Sequence, residues 1–201
     1  MTGKENPNGK ENRSGQIAVK INLGSGHWKL PGWVNVDIDF ESRPEVLADL
    51  SAPLPFRASV ADFMHTEDFL DQLDLQGARR FLRECHRILK PGGVIRILTP
   101  DVEKLARMYL DDPEGLKKLW RENVGVDLSF GTAGEILNVG MRFAGHTFLY
   151  DAETLTCILA ECGFTARRVA YQQSSFPELT GLDLRSPENA LSLYFDCQKN
   201  G

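Results

Sequence analysis

The stretch INLGSGHWKLPGWVNVDI, residues 21–38, runs from an apolar segment into Gly24-Ser25-Gly26 and, past Pro31, into a second apolar segment ending at Asp37. A strand entering a glycine turn is how nucleotide-binding α/β sheets begin. The dinucleotide form of this turn is GxGxxG opening a long helix, whose N-terminus cradles a pyrophosphate, with an acid about 20 residues further on. Here Lys29 stands at the third glycine position, Pro31 interrupts any helix, and Asp37 follows Gly26 by only eleven residues. A ligand without phosphates asks for less. Glycines let a nucleoside lie against bare backbone, and a carboxylate accepts hydrogen bonds from two ribose hydroxyls.

Outward from this stretch, short β-branched runs alternate with helical patterns, which is how a parallel sheet with crossover helices reads. Strands are expected over 17–23, 33–38, 45–50, 60–66 and 94–98. The clearest helix carries Ala78, Phe81, Leu82, Cys85, Ile88 and Leu89 on one face, with Arg79, Arg80, Arg83, Glu84, Arg87 and a solvated His86 on the other. Lys90-Pro91-Gly92-Gly93 should stop it. Asp101 and Asp112 stand at N-cap positions before helices over 101–110 and 113–123, the second opening on Pro113. Residues 124–145 hold five glycines around a helix expected over 135–143. Such a segment can bend over a site or serve as a connector. Asp151 caps a last helix closed by Gly163, and 165–172 and 190–199 should pair antiparallel, since no helix separates them.

Length and composition fit one domain: 201 residues, 42% hydrophobic and 25% charged. Residues 1–16, with Gly3-Lys4-Glu5-Asn6 nearly repeated at 9–12, read as a flexible tail. A net charge of -5 argues against a nucleic-acid partner, whose phosphates call for Lys and Arg. Four cysteines without a CxxC pair suit a reduced, cytoplasmic protein, and no apolar run is long enough to span a membrane or drive export. No spacing of metal ligands and no GxSxG nucleophile elbow occurs.

In order and spacing, NLGSG, GWVNVD, ADLSAPLPF, FLRECHRILKPGG, IRILTPD and GHTFLYDAETL resemble the class I S-adenosylmethionine-dependent methyltransferases over residues 17–199. The resemblance implies a Rossmann-like three-layer α/β sandwich with a mostly parallel seven-stranded sheet, a final antiparallel strand and a small helical lid at 102–147. It implies S-adenosylmethionine as cofactor, S-adenosylhomocysteine as product, and a cofactor site of Gly24, Ser25, Gly26, Asp37, Ile38, Asp49, Leu50 and His65. Many relatives carry a Glu-His pair where this chain has Asp71-Gln72, which makes a base from that pair doubtful.

Methyl transfer from a sulfonium is an in-line displacement, so alignment in a dry site comes before acid–base work. If the acceptor carries a proton, a histidine suits its removal. His146 leads as base, with a structural histidine behind Tyr150 as the alternative. His65 and Glu67 follow at the end of the fourth strand, where Glu67 and Asp68 read equally as helix caps. His27 either touches the methionine tail or lies exposed. Arg142, Tyr150, Tyr109 and Asp101 are candidates for holding the substrate, although helical spacing favours core packing for Tyr109 and Trp120, and Asp101 doubles as a cap. The expected reaction is O- or N-methylation of a small molecule. The alternatives are a nicotinamide-dependent oxidoreductase and a cofactor-binding scaffold without chemistry. The oligomeric state is not legible.

Overall fold

The apolar runs become seven strands of one sheet in the computed structural model, which describes residues 17–200. The tail expected over 1–16 lies outside the described residues. The strands are β1 (Lys20–Leu23), β2 (Val34–Asp37), β3 (Val46–Leu47), β4 (Ala61–Glu67), β5 (Leu89–Pro100), β6 (Phe164–Arg168) and β7 (Ser192–Lys199). Their spatial order is β3-β2-β1-β4-β5-β7-β6, parallel from β3 to β5, with β7 antiparallel to both β5 and β6. This is the mostly parallel sheet with an inserted antiparallel strand that the resemblance implies. The order reverses between β1 and β4. Ligands of open α/β sheets lie at such a switch point, outside the carboxyl ends of the strands.

Alternation along the strands builds two unlike faces. Ile21, Leu23, Val36, Met64, Ile95, Ile97, Phe195 and Cys197 enter the main core with the apolar faces of α1 (Leu75–Ile88) and α5 (Ala152–Glu161). Asp74 and Asp151 cap these two helices through Gly77 N and Thr154 N, each cap worth about 1 kcal/mol. The opposite face is covered by turns and coil, not helices. Leu30 and Trp33 from the β1–β2 connection and Leu179 from the β6–β7 segment pack there on Val94. The third layer of the sandwich is therefore an irregular one.

Three further helices, α2 (Val102–Asp111), α3 (Pro113–Asn123) and α4 (Ala133–Gly140), build a separate cluster around Leu105, Leu116, Trp120 and Ile136. Asp101, Asp112 and Thr132 cap them.

Several boundaries differ from expectation. β3 is two residues long. α1 does stop ahead of Lys90-Pro91-Gly92-Gly93, at Ile88, but these residues already belong to β5, which starts at Leu89 rather than Val94; where its pairing with β4 shifts register, a Cβ at Gly93 would lie 3.1 Å from Asp62 O. β6 ends at Arg168, four residues short of Gln172. His86 is not merely solvated: its ring meets Phe164 edge-on at 5.4 Å, and a Cβ on Gly163 would come within 2.8 Å of it.

No described helix is long and apolar enough to cross a membrane.

Candidate active site at the carboxyl ends of the strands

The loop after β1 folds straight onto β2. Gly24 N and Ser25 N both donate to Val36 O, at 2.9 and 3.1 Å. Gly24 and Gly26 have φ of +70° and +47°, the left-handed region that glycine enters without penalty. A Cβ on Gly24 would also meet Phe69 and Leu50 at 3.4 and 3.6 Å. Asp37 Oδ2 accepts from Gly26 N at 2.6 Å and Oδ1 from Asp39 N at 2.8 Å. Each carboxylate oxygen keeps a second lone pair. No helix follows the loop: Trp28 N closes a turn on Ser25 O, and Lys29 pairs with Glu45 at 3.5 Å. A helix N-terminus for a pyrophosphate is missing here. Ile38 is exposed beyond Asp37. Asp49 is also exposed and turns one oxygen back on Ser51 N and Oγ, which lowers its carboxyl. Leu50 is buried behind Gly24.

A narrow cleft of about 120 Å³ opens beside this loop, walled by Asn22, Gly24, Ser25, His65, Glu67 and Arg185 among others. His65 is 4% exposed, its Nδ1 lying 2.9 Å from Asn22 Oδ1. Asn22 in turn donates to Asn35 Oδ1 at 2.9 Å, so His65 Nδ1 carries the hydrogen. Burial, with the nearby Arg96 charge, pushes the imidazole down to about 3. A base role for His65 near neutrality is thereby overturned, and its 3.7 Å approach to Glu67 is not an ion pair. Glu67 caps no helix either. Its carboxylate accepts from Leu184 N at 3.2 Å and Arg185 N at 2.8 Å, and burial raises it to about 7 despite these donors. Asp68, with φ +52°, binds Arg185 Nε instead of capping α1.

A larger cavity of about 460 Å³ lies against the tips of β4 and β5, under α2 to α4. Leu105, Leu116, Trp120, Phe143 and Leu149 form its apolar wall, and Asp68, Asp71, Asp101, His146 and Arg185 its polar one. Asp68 and Arg185 border both openings. His146 Nδ1 lies 2.9 Å from Gly140 O, and Nε2 lies 3.4 Å from Asp71 Oδ2. Its partner is therefore Asp71, not Tyr150. Asp71 is fully buried, takes the Thr99 hydroxyl on Oδ1 at 3.2 Å and leaves Oδ2 without a hydrogen bond. Burial raises its carboxyl, with His146 opposing. Asp101 Oδ1 caps α2 while Oδ2 is buried without a hydrogen bond, 3.8 Å from Arg168.

Three expected substrate contacts are corrected. Tyr150 is fully buried in the main core against Phe148 and borders neither opening. Tyr109 lies half-exposed outside both. Arg142 is exposed, donates to Asn138 O and lines a shallow surface hollow. His27 is exposed, 3.8 Å from Asp39, away from both openings. Trp120 both packs in the helical cluster and faces the cavity. Sequence reasoning missed Arg185 and the pairing of Asp71 with His146. Among the described residues no cluster of metal ligands occurs.

Residues 33–97 match the family model described as "Methyltransferase domain". No curated protein matches the chain. Solved structures share its fold. An S-adenosylmethionine-dependent methyltransferase from Methanosarcina mazei is 17% identical with a TM-score of 0.53, covering 90% of this chain and 92% of its own. One from Mesorhizobium loti is 16% identical with a TM-score of 0.55, covering 90% of each chain. A third, from Archaeoglobus fulgidus, is 14% identical with a TM-score of 0.55, covering 90% of this chain and 86% of its own. The chain thus joins a glycine loop suited to a nucleoside rather than a pyrophosphate to a methyltransferase-domain match across β2 to β5, within a fold it shares with S-adenosylmethionine-dependent methyltransferases.

Proposed function

We propose that the chain methylates a compact small molecule, on oxygen or nitrogen, seated in the 460 Å³ cavity. The observation that carries this reading is the shared border: Asp68 and Arg185 line both the cavity and the cleft beside the glycine loop. Two ligands lodged on either side meet at the tips of β4 and β5. In this reading residues 17–199 act as one domain and 102–147 as a lid. The largely apolar wall and the net charge of -5 support a small acceptor over a nucleic acid. The buried free thiols of Cys85, Cys162 and Cys197 support a reducing, cytoplasmic setting.

The residues fit S-adenosylmethionine. Gly24 and Gly26 present bare backbone, Asp37 keeps lone pairs for ribose hydroxyls, and Ile38, Asp49 and Leu50 stand at the ends of β2 and β3 for the adenine. When bound, the cofactor supplies an electrophilic methyl group on a sulfonium. The chain's tasks are to hold the acceptor in line with it, to exclude water and to take any proton the acceptor sheds. Apolar side chains of α2 and α3 do the excluding. Gly140 O holds Nδ1–H of His146, which leaves Nε2 as the basic atom, and Asp71 stabilises the imidazolium once the proton arrives. Asp101 presents a buried carboxylate oxygen to the same cavity.

The test is to incubate the protein with methyl-labelled S-adenosylmethionine and a fractionated metabolite extract. Label should enter a low-mass product, and His146→Ala should reduce turnover about 100-fold while binding S-adenosylhomocysteine as before. Label recovered only in nucleic acid or protein would defeat the small-molecule reading. Unchanged turnover in the variant would defeat the base.

A further inference from the structure

The segment between β6 and β7 has no helix or strand, yet residues 183–185 are held through four backbone polar groups, Asp183 O, Leu184 N, Arg185 N and Arg185 O. Asp183 is buried on the Arg96 guanidinium and accepts from Gln172 N, while its carbonyl takes Gln172 Nε2 at 3.3 Å. Leu184 N and Arg185 N donate to Glu67, and Arg185 O accepts from the Tyr194 hydroxyl. This strap crosses the tips of β4 and β5. The side chain it presents is held far less firmly: Arg185 Nε donates to Asp68 at 2.6 Å, and Nη1 and Nη2 have no partner among the described residues. A fixed backbone carrying an open guanidinium fork is the arrangement that receives a carboxylate through two parallel bonds.

Which carboxylate is decided by where the fork stands. Arg185 is the only arginine or lysine bordering the cleft beside the glycine loop, among the described residues. His65 is neutral there, and Glu67 and Asp68 are the other charged groups. S-adenosylmethionine carries an amino-acid tail, one α-carboxylate and one α-ammonium. The cleft offers that zwitterion acids for its ammonium and a single cation for its carboxylate. We infer that Arg185 is the residue of this chain that binds the α-carboxylate of the cofactor, exchanging part of its pairing with Asp68 for it. Because Arg185 also borders the acceptor cavity, a loaded tail fixes this side chain at the edge of the acceptor's site.

The inference rests on the cofactor assigned above and adds a residue from a strap far outside the glycine-loop region. It is tested by titration calorimetry on the full chain with two ligands: S-adenosylhomocysteine and its decarboxylated analogue, which keeps the ammonium and lacks the carboxylate. Wild-type protein should bind the analogue about tenfold more weakly. Arg185→Ala should bind S-adenosylhomocysteine about tenfold more weakly than wild type and discriminate between the ligands less than threefold, with Arg185→Lys in between. Both ligands carry the ammonium, so the release of Asp68 cancels in their ratio. Equal losses for both ligands in Arg185→Ala, or no loss for either, would overturn the assignment. Wild-type affinity for S-adenosylhomocysteine reports on the cofactor reading, and the ratio between the ligands reports on Arg185.

Discussion

Glu67 shows how one buried carboxyl couples charge to architecture. Its carboxylate holds Leu184 N and Arg185 N, but burial raises it from 4.5 to about 7. The folded chain therefore holds this proton more tightly than the unfolded chain does. The resulting stabilisation is complete below about pH 4.5 and is lost as pH rises through about 7. Across that window, wild-type stability should fall relative to Glu67→Gln by about 3 kcal/mol. Urea denaturation of both proteins at about pH 5 and about pH 8 checks this, and parallel pH dependences would refute it. His65, held near 3, works in the opposite sense, since its contribution is present above 6.5 and lost as pH falls toward 3. That effect is common to both proteins and cancels. Asp37 is a different kind of acid: it gives one lone pair of each oxygen to local backbone, at Gly26 N and Asp39 N, and so shapes the loop that presents it while keeping a second on each.

Among the elements, α2, α3 and α4 stand apart because their apolar side chains cluster on one another and not on the sheet. Leu116 is 1% exposed and faces both this cluster and the cavity. Leu116→Ala should cost about 2 to 4 kcal/mol within these helices. Hydrogen exchange should quicken in α2 to α4 and stay unchanged in β1 to β5, because the sheet has its own core. Faster exchange throughout the chain would show that the helices and the sheet unfold as one unit. The strap is the reverse case, an element without secondary structure whose order comes from side chains of β4, β5 and β7. Its proposed role follows from that dependence, for whatever orients the strap orients Arg185.

Across the whole molecule, a polar row runs through the sheet at a single register: Asn35 on β2, Asn22 on β1, His65 on β4, Arg96 on β5 and Asp196 on β7. Arg96 is fully exposed to nothing but its partners, at 0% accessibility, with Asp196 at 3.0 Å and Asp183 on its other edge. Arg96→Met would leave two buried carboxylates unpaired and should cost about 3 to 5 kcal/mol, measured by equilibrium denaturation. A loss under about 1 kcal/mol would mean that water or relaxation reaches the carboxylates. By itself the sequence determined the order of strands and helices along the chain, the caps Asp101, Asp112 and Asp151, the glycine loop and the acid at the end of β2, because each rests on contacts between residues close in the chain. Periodicity also marked the face of α1 that is buried. Only the tertiary structure decided what covers the second face of the sheet, that His146 meets Asp71, that His65 is too dry to titrate near neutrality, and that Arg185 stands between two openings. Such facts depend on which distant segments pack together, and alternation along a strand says which way a side chain points without saying whether water, an apolar wall or a charged partner will meet it.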